Sequence, residues 1–288
     1  MKKKDPNDMS FLEHLEVLRK HLIRSIIFII VFAAAAFIFK DFVFNKILLA
    51  PKMPDFFTNA AMCKLGRFFG TDAICINSKP LSIINIKMTG QFMTHITVSL
   101  IAGIIVAFPF IFNEFWQFLK PALKKNEIKH GRGAVFFASL LFLLGALFGY
   151  YVIVPLSLNF LGTYSVSGDV VNKINLNSYI QTFTSIILAS AVVFELPILI
   201  FFLSKTGLVT PEFLKKYRKH SLVVILALSA LITPPDVFSQ ILVSLPLWIL
   251  YEAGIGISKR VEKKKMKDEQ RQTENIVKKE TEKQDKNF

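Results

Sequence analysis

The chain has 288 residues, of which 52% are hydrophobic and 19% are charged, and it carries 29 phenylalanines and a formal net charge of +14. Soluble domains contain roughly a quarter charged residues, so this composition excludes an ordinary water-soluble enzyme. The high hydrophobic content excludes a disordered chain, and two cysteines are too few for a disulfide-rich scaffold. These exclusions indicate a membrane protein.

Six long segments that lack Asp, Glu, Lys and Arg predict six membrane-spanning helices. A hydrocarbon core of about 30 Å requires about 20 helical residues. Allowing for polar ends, the predicted spans are residues 22–44, 92–119, 134–160, 179–204, 219–234 and 238–258. The last two predicted spans are short. Short spans are accommodated by local thinning of the bilayer or by association with neighbouring helices. We therefore expect an all-α polytopic membrane protein.

The predicted spans divide the chain into three parts. Residues 1–24 form a predicted amphipathic cytoplasmic N-terminus, residues 25–258 form the membrane domain, and residues 259–288 form a charged cytoplasmic tail. The tail alternates Lys and Glu without an apolar stripe, so it is predicted to be disordered or a solvated helix or coil. The first span follows a polar segment and is interpreted as an uncleaved anchor.

The distribution of basic residues predicts the orientation. Lys and Arg are concentrated in the N-terminus, in segments 120–132 and 205–219 and in the tail, whereas segment 163–178 contains only Lys173. The positive-inside rule then places both termini in the cytoplasm. Loop 45–91 holds six basic residues, but long translocated loops weigh less in this rule. Because the basic charge follows the topology, we predict no nucleic-acid partner.

Glycine and proline predict the shape of the spans. Gly145 and Gly149 form a small-xxx-small pattern, which lets two helices approach closely. Four predicted spans contain a proline that is expected to kink them: Pro109, Pro155, Pro197 and Pro246. Kinked helices favour a concave wall over a compact bundle.

Glu195 is a carboxylate well inside the predicted spans, 22 residues after Lys173 and 10 before Lys205. A carboxylate inside the membrane costs a few kcal/mol and is a functional candidate. It is either a binding group, the proton relay of a small-molecule secondary transporter, or a structural carboxyl bonded to neighbouring helices. Glu114 and Glu252 can reach the inner headgroup zone.

The remaining polar candidates lie outside the hydrocarbon core or near its edge. Asp236 falls at an outer turn, where water satisfies it, and Gln240 lies one helical turn further in. Cys63 and Cys75 fall in the first outer loop, where an oxidising compartment favours a disulfide over two free thiols. No catalytic motif and no histidine spacing typical of a metal site is present, so we predict no enzyme, metal or cofactor.

Several segments carry a resemblance to a known family: residues 11–22, 115–123 followed by Glu127, 194–197, 233–240, Pro246 and 251–252. In order and spacing they resemble TatC, the multispanning receptor of the twin-arginine protein translocase. The likeness covers about residues 10–258 and leaves out the tail and the cysteine-bearing stretch around 58–79.

The resemblance implies a kinked, cupped six-helix bundle in the bacterial inner membrane. Such a protein binds the twin-arginine signal peptides of folded cargo, and the proton-motive force drives export. It assembles with single-span TatA- and TatB-type partners and is expected to be a homo-oligomer within the translocase, without a cofactor. The resemblance also implies that Glu195 and Gln240 contact a partner helix, with Glu195 on the concave side.

For the signal peptide, the resemblance implies a site built from two motifs. Glu127 can accept a guanidinium group in a bidentate pair. Arg19 belongs to the N-terminal motif, and an apolar rim is formed by Phe118, Leu119 and Pro121.

One position departs from the family pattern. The family usually has an acidic residue three positions after the histidine of the N-terminal motif, and this chain has Val17 there. Glu13 and Glu16 are the neighbouring carboxylates, and Glu13 lies one helical turn from Val17 on the same face. Either of these is therefore a candidate for the second arginine-binding carboxylate.

Overall fold

The computed structural model describes residues 11–71, 75–78, 81–120, 131–167, 169, 172–233 and 237–285, and it is predominantly helical. The helices of this part are α1 Phe11–Ile38, α2 Phe57–Phe68, α3 Gly90–Leu119, α4 Gly131–Phe148, α5 Val154–Thr163, α6 Leu176–Val193, α7 Leu196–Thr206, α8 Pro211–Lys216, α9 Arg218–Ile232 and α10 Val237–Asp285. Two-residue strands, β1 Ile83–Ile84 and β2 Ile174–Asn175, pair in parallel.

Five helical stretches in the described ranges are long and apolar enough to cross a membrane: Leu15–Ile38, Gly90–Leu119, Gly133–Thr163, Leu176–Thr206 and Ser239–Lys267. They match five predicted spans and confirm an all-α membrane fold. The segment predicted as the fifth of six spans corresponds to α9, whose 15 residues extend about 22 Å, short of a 30 Å core. The count of six and the orientation stay predictions.

The helices at both ends of the membrane domain extend beyond the predicted spans. Helix α1 begins at Phe11, inside the segment predicted as a separate N-terminus, because Leu15, Leu18 and Leu22 extend the apolar helical period outward. Helix α10 continues through the tail to Asp285, which agrees with the predicted solvated helix and not with the predicted disorder. The tail contains many Lys and Glu residues, which are strong helix formers, and no Gly or Pro after Gly256.

Two compact units make up the chain: Met1–Glu195 with Leu228–Val243, and Leu196–Ala227 with Ser244–Phe288. In the first unit, α1 and α3 pack closely. A Cβ added to Gly103 would lie 2.7 Å from the backbone nitrogen of Ala33, so only glycine permits this approach. Rings on the two helices also stack, with Phe28 and Phe110 centroids 5.0 Å apart.

Helices α4 and α6 of the first unit pack through the predicted glycine pattern. A Cβ on Gly145 would lie 2.7 Å from the Cβ of Phe194 and 2.8 Å from the Cα of Ala191. The Ser190 hydroxyl donates a hydrogen bond to the Gly145 carbonyl at 2.8 Å. The predicted close helix approach is therefore confirmed.

Irregular backbone marks two of the four predicted proline kinks. A π-helical turn, Gly149–Ile153, directly precedes Pro155. Pro197 follows a break in the helix at residues 194–195, between α6 and α7. Pro109 and Pro246 instead lie inside helices that continue through them.

The first long loop, predicted to face outward, folds onto the helices of the first unit. Asn59 is fully buried, and its side chain donates hydrogen bonds to the carbonyls of Pro51 and Met53 at 2.9 and 2.7 Å. The structure joins Cys63 and Cys75 in a disulfide with their Cα atoms 4.1 Å apart. A loop closed over this length contributes about 3 kcal/mol in the chain-entropy model.

The second unit is held by polar contacts between its helices. The Ser204 and Ser258 hydroxyls are 2.7 Å apart, and the Tyr251 hydroxyl donates to the Leu214 carbonyl at 2.8 Å. Helices α9 and α10 are joined by an ion pair between Arg218 and Glu252, with 2.6 Å between Nη2 and Oε2.

Candidate functional site

A carboxylate lies where the N-terminal end of α1 meets the C-terminal end of α3. The two helices run antiparallel, so residues far apart in sequence face each other. The His21 ring donates a hydrogen bond from Nδ1 to Oε2 of Glu114 at 2.6 Å. The Glu114 side chain is only 9% exposed, so its hydrogen bond to His21 replaces contact with water.

Two further residues of α1 and α3 complete this cluster. Arg24 places a guanidinium nitrogen 3.8 Å from the same oxygen of Glu114, and its side chain remains largely exposed. The Phe118 ring lies edge-on to the His21 ring, with centroids 6.4 Å apart. The cluster thus combines a buried carboxylate, a solvent-exposed cation and an aromatic ring.

The structure brings some of the sequence-predicted signal-peptide residues to this end of α1 and α3. Phe118 and Leu119 are half-buried on the last turn of α3, while Arg19 is exposed on α1. Glu16 is exposed and pairs with Lys20 at 2.9 Å, one turn away on the same helix.

Other predicted residues cannot be placed. Glu127 and Pro121 lie outside the described residues, as does Asp236, and the side chain of Glu13 is not described although its backbone is helical. Gln240 is half-buried on the first turns of α10.

Sequence reasoning did not select Glu114 as a site residue. Its position six residues before Lys120 suggested only that it reaches the headgroup zone. Its partner His21 is 93 positions away in the chain, and only the packing of α1 against α3 brings the two together. The sequence signal for this contact was a carboxylate and a histidine that lie near the same end of two adjacent predicted spans.

Glu195 occupies the break between α6 and α7. Both of its carboxylate oxygens are buried and have no hydrogen-bond partner among the described residues. A buried carboxyl without partners is costly, so this group is suited to receive a polar group from another molecule.

The glycine contacts beside Glu195 lead to a stability prediction. Gly145→Ala should lower the free energy of unfolding by about 1–3 kcal/mol, because the new methyl group meets backbone and Cβ atoms that cannot move aside. Gly133→Ala is the matched control, since a Cβ at Gly133 meets nothing within 4 Å. Denaturant titration of both purified variants in detergent measures the difference. Equal stability of the two variants would contradict the tight α4–α6 contact.

Comparison with known proteins identifies the family. The family model described as Sec-independent protein translocase protein (TatC) matches residues 13–246. A TatC protein of Blattabacterium sp. subsp. Periplaneta americana is 41% identical over 265 residues, which cover 91% of this chain and 100% of the relative. TatCy of Bacillus subtilis is 31% identical over 261 residues, covering 91% and 93%. The chain belongs to the TatC family.

Solved structures agree with this assignment. A crystal structure titled as the twin arginine translocase receptor TatC superposes with a TM-score of 0.62 at 31% identity, covering 87% of this chain and 100% of that one. A second, in the detergent DDM, gives a TM-score of 0.65 at 32% identity. As a TatC protein, the chain is a component of a protein translocase, which is not a catalytic enzyme family, and functions in a complex with other Tat subunits.

Proposed function

We propose that this TatC protein is the receptor that binds twin-arginine signal peptides of folded cargo, at the joined ends of α1 and α3. The observation that supports this proposal is the cluster of Glu114, His21, Arg24 and Phe118. A buried carboxylate favours a guanidinium group, because the pair forms short, charge-assisted hydrogen bonds. The Phe118 ring beside it offers an apolar contact to the hydrophobic residues of a signal peptide.

We assign to Glu114 part of the arginine-binding role that the family resemblance gives to an acidic residue at position 17. Val17 and His21 are one helical turn apart on α1, so they share a face. Glu114 is bonded to His21, so its carboxylate lies beside the end of α1 that carries position 17. Arg24, at 3.8 Å and exposed, occupies a place that a signal-peptide arginine can take. Glu127, eight residues after Leu119 in the sequence, supplies a second carboxylate.

The second part of the proposal concerns assembly. Glu195, with two unpartnered buried oxygens, accepts a polar group from the single span of a TatA- or TatB-type subunit, and Gln240 lies on the same contact surface. Both termini are cytoplasmic, and the receptor forms homo-oligomers within the translocase. Transport is driven by the proton-motive force.

A binding experiment tests the receptor function. The purified protein in proteoliposomes is mixed with a photo-crosslinkable signal peptide that carries either two arginines or two lysines. We expect the arginine peptide to crosslink about tenfold more, since lysine cannot form the bidentate pair. Glu127→Ala should reduce this preference while the protein stays inserted.

The opposite result would favour the alternative function. A proton-coupled small-molecule transporter that uses Glu195 as its relay has no reason to bind either peptide. Equal, weak crosslinking of both peptides would therefore overturn the receptor assignment.

A further inference from the structure

Helix α2 has an exposed apolar face that the function above does not use. The side chains of Phe57 and Phe68 are 73% and 83% exposed, and that of Leu65 is 49% exposed. With 3.6 residues per turn, these positions and Ala61 lie on one side of the helix. An exposed apolar helix face of this kind is a typical interaction surface.

The opposite face of α2 is fully engaged within the protein. Asn59 is buried, and its side-chain oxygen accepts a hydrogen bond from the Asn77 amide at 3.1 Å. Cys63, one turn further along the same face, is bonded to Cys75. The helix is therefore held in one rotational setting, with its apolar face turned away from residues 75–77.

The depth of α2 follows from its contacts with the third candidate span. The Thr58 hydroxyl donates to the Tyr151 carbonyl, and the rings of Phe57 and Tyr151 lie edge-to-face at 6.2 Å. Tyr151 comes 18 residues after Gly133, the first residue of that span, or about 27 Å along the helix. With the basic segment 120–132 at the inner headgroups, a hydrocarbon core of about 30 Å that begins at Gly133 ends near Tyr151.

The direction of the apolar face follows from the same span. Asn77 donates from its side chain to the Pro155 carbonyl at 2.9 Å and from its backbone to the Asn159 side chain at 3.0 Å. Pro155 and Asn159 lie one and two turns beyond Tyr151, further from the hydrocarbon core. Because α2 attaches to Asn77 by its buried face, its exposed apolar face is directed back toward the membrane.

We propose that α2 is an interfacial helix that rests on the outer leaflet, with Phe57, Leu65 and Phe68 inserted at the boundary between headgroups and acyl chains. Exposed Lys64 and Arg67 line one edge of this apolar face, where they bind the phosphates of anionic lipids. This combination of an aromatic face and a basic edge is typical of helices that lie in the membrane interface. The lipid surface, rather than a partner protein, covers the face.

Quenching by brominated lipids tests this placement. A Phe68→Trp variant is made in a Trp248→Phe background, which retains Trp116, a residue only 5% exposed. The purified variant is reconstituted alone into vesicles of phosphatidylcholine and phosphatidylglycerol brominated near the headgroup or near the chain end. We expect shallow bromines to quench the added fluorescence about twofold more than deep bromines do.

A matched control and a charge variant complete the experiment. Val166, which is 80% exposed, lies 15 residues beyond Tyr151, so Val166→Trp should not be quenched. Brominated phosphatidylglycerol should quench position 68 more than brominated phosphatidylcholine does, and replacing Lys64 and Arg67 by Gln should remove this preference. Position 68 behaving like position 166, or stronger quenching by deep bromines, would overturn the proposal. Neither outcome depends on signal-peptide binding.

Discussion

Glu114→Gln should weaken crosslinking of a twin-arginine signal peptide by about tenfold, because a hydrogen bond to a charged group contributes about 1.5–3 kcal/mol. Glutamine keeps the size of the side chain and can still accept a hydrogen bond from His21. Only the charge that attracts a guanidinium group is lost. The measurement is the crosslinked fraction as a function of peptide concentration, in proteoliposomes with equal amounts of inserted protein.

Two further variants separate binding from stability. Glu274→Gln, in the exposed part of the tail, is the control and should bind normally. Adding Val17→Glu to Glu114→Gln returns a carboxylate one turn away on α1, where the family usually has it, and should restore at least part of the crosslinking. If Glu114→Gln lowers thermal stability but leaves crosslinking unchanged, the carboxylate only ties α1 to α3 and the binding role is wrong.

The membrane spans could be predicted from the sequence because the lipid bilayer restricts which residues a spanning helix can contain. A helix that crosses a membrane must be apolar over most of its length, and it must satisfy its own backbone hydrogen bonds. The charge-free runs therefore located five long helical stretches, and the glycine pattern at Gly145 and Gly149 located a close helix contact. Pro197 marked the break beside Glu195, since proline cannot donate the backbone hydrogen bond that continues the helix.

Tertiary contacts and helix ends could not be predicted in the same way. The contact between His21 and Glu114 depends on how α1 and α3 pack, and the positions of the two residues near the same end of adjacent spans do not by themselves predict that they meet. The predicted span did not reveal that α1 begins at Phe11, because charged residues interrupt its apolar run without interrupting its period. The rotational setting of α2 depends on Asn59 and Cys63, whose partners lie in an irregular segment.

The structure bears directly on the role of Glu195, for which the sequence left three alternatives: a binding group, a proton relay or a structural carboxyl. A structural carboxyl would be expected to bond to neighbouring helices, yet neither oxygen of Glu195 has such a bond among the described residues. The helix also breaks at residues 194–195, beside this carboxyl group. Both features suit a position where a second polypeptide completes the hydrogen bonding.

Glu195→Ala should reduce export of a twin-arginine reporter about tenfold, because the polar group of the partner span is then left unmatched in the membrane. Glu195→Gln keeps the shape and most of the hydrogen bonding, so its export should fall by only about threefold. Leu199→Ala, one turn further along and exposed, is the control and should export normally. Export is measured in cells that lack their own TatC protein.

A crosslinking readout distinguishes a contact with the partner from a fault in folding. A photoreactive residue at position 192, which is exposed one turn before Glu195, should capture a single-span Tat subunit in the parent protein. The yield should fall with Glu195→Ala and persist with Glu195→Gln, at equal levels of membrane-inserted protein. Normal export and unchanged capture in both variants would mean that Glu195 is a structural carboxyl, since the partner then binds without it.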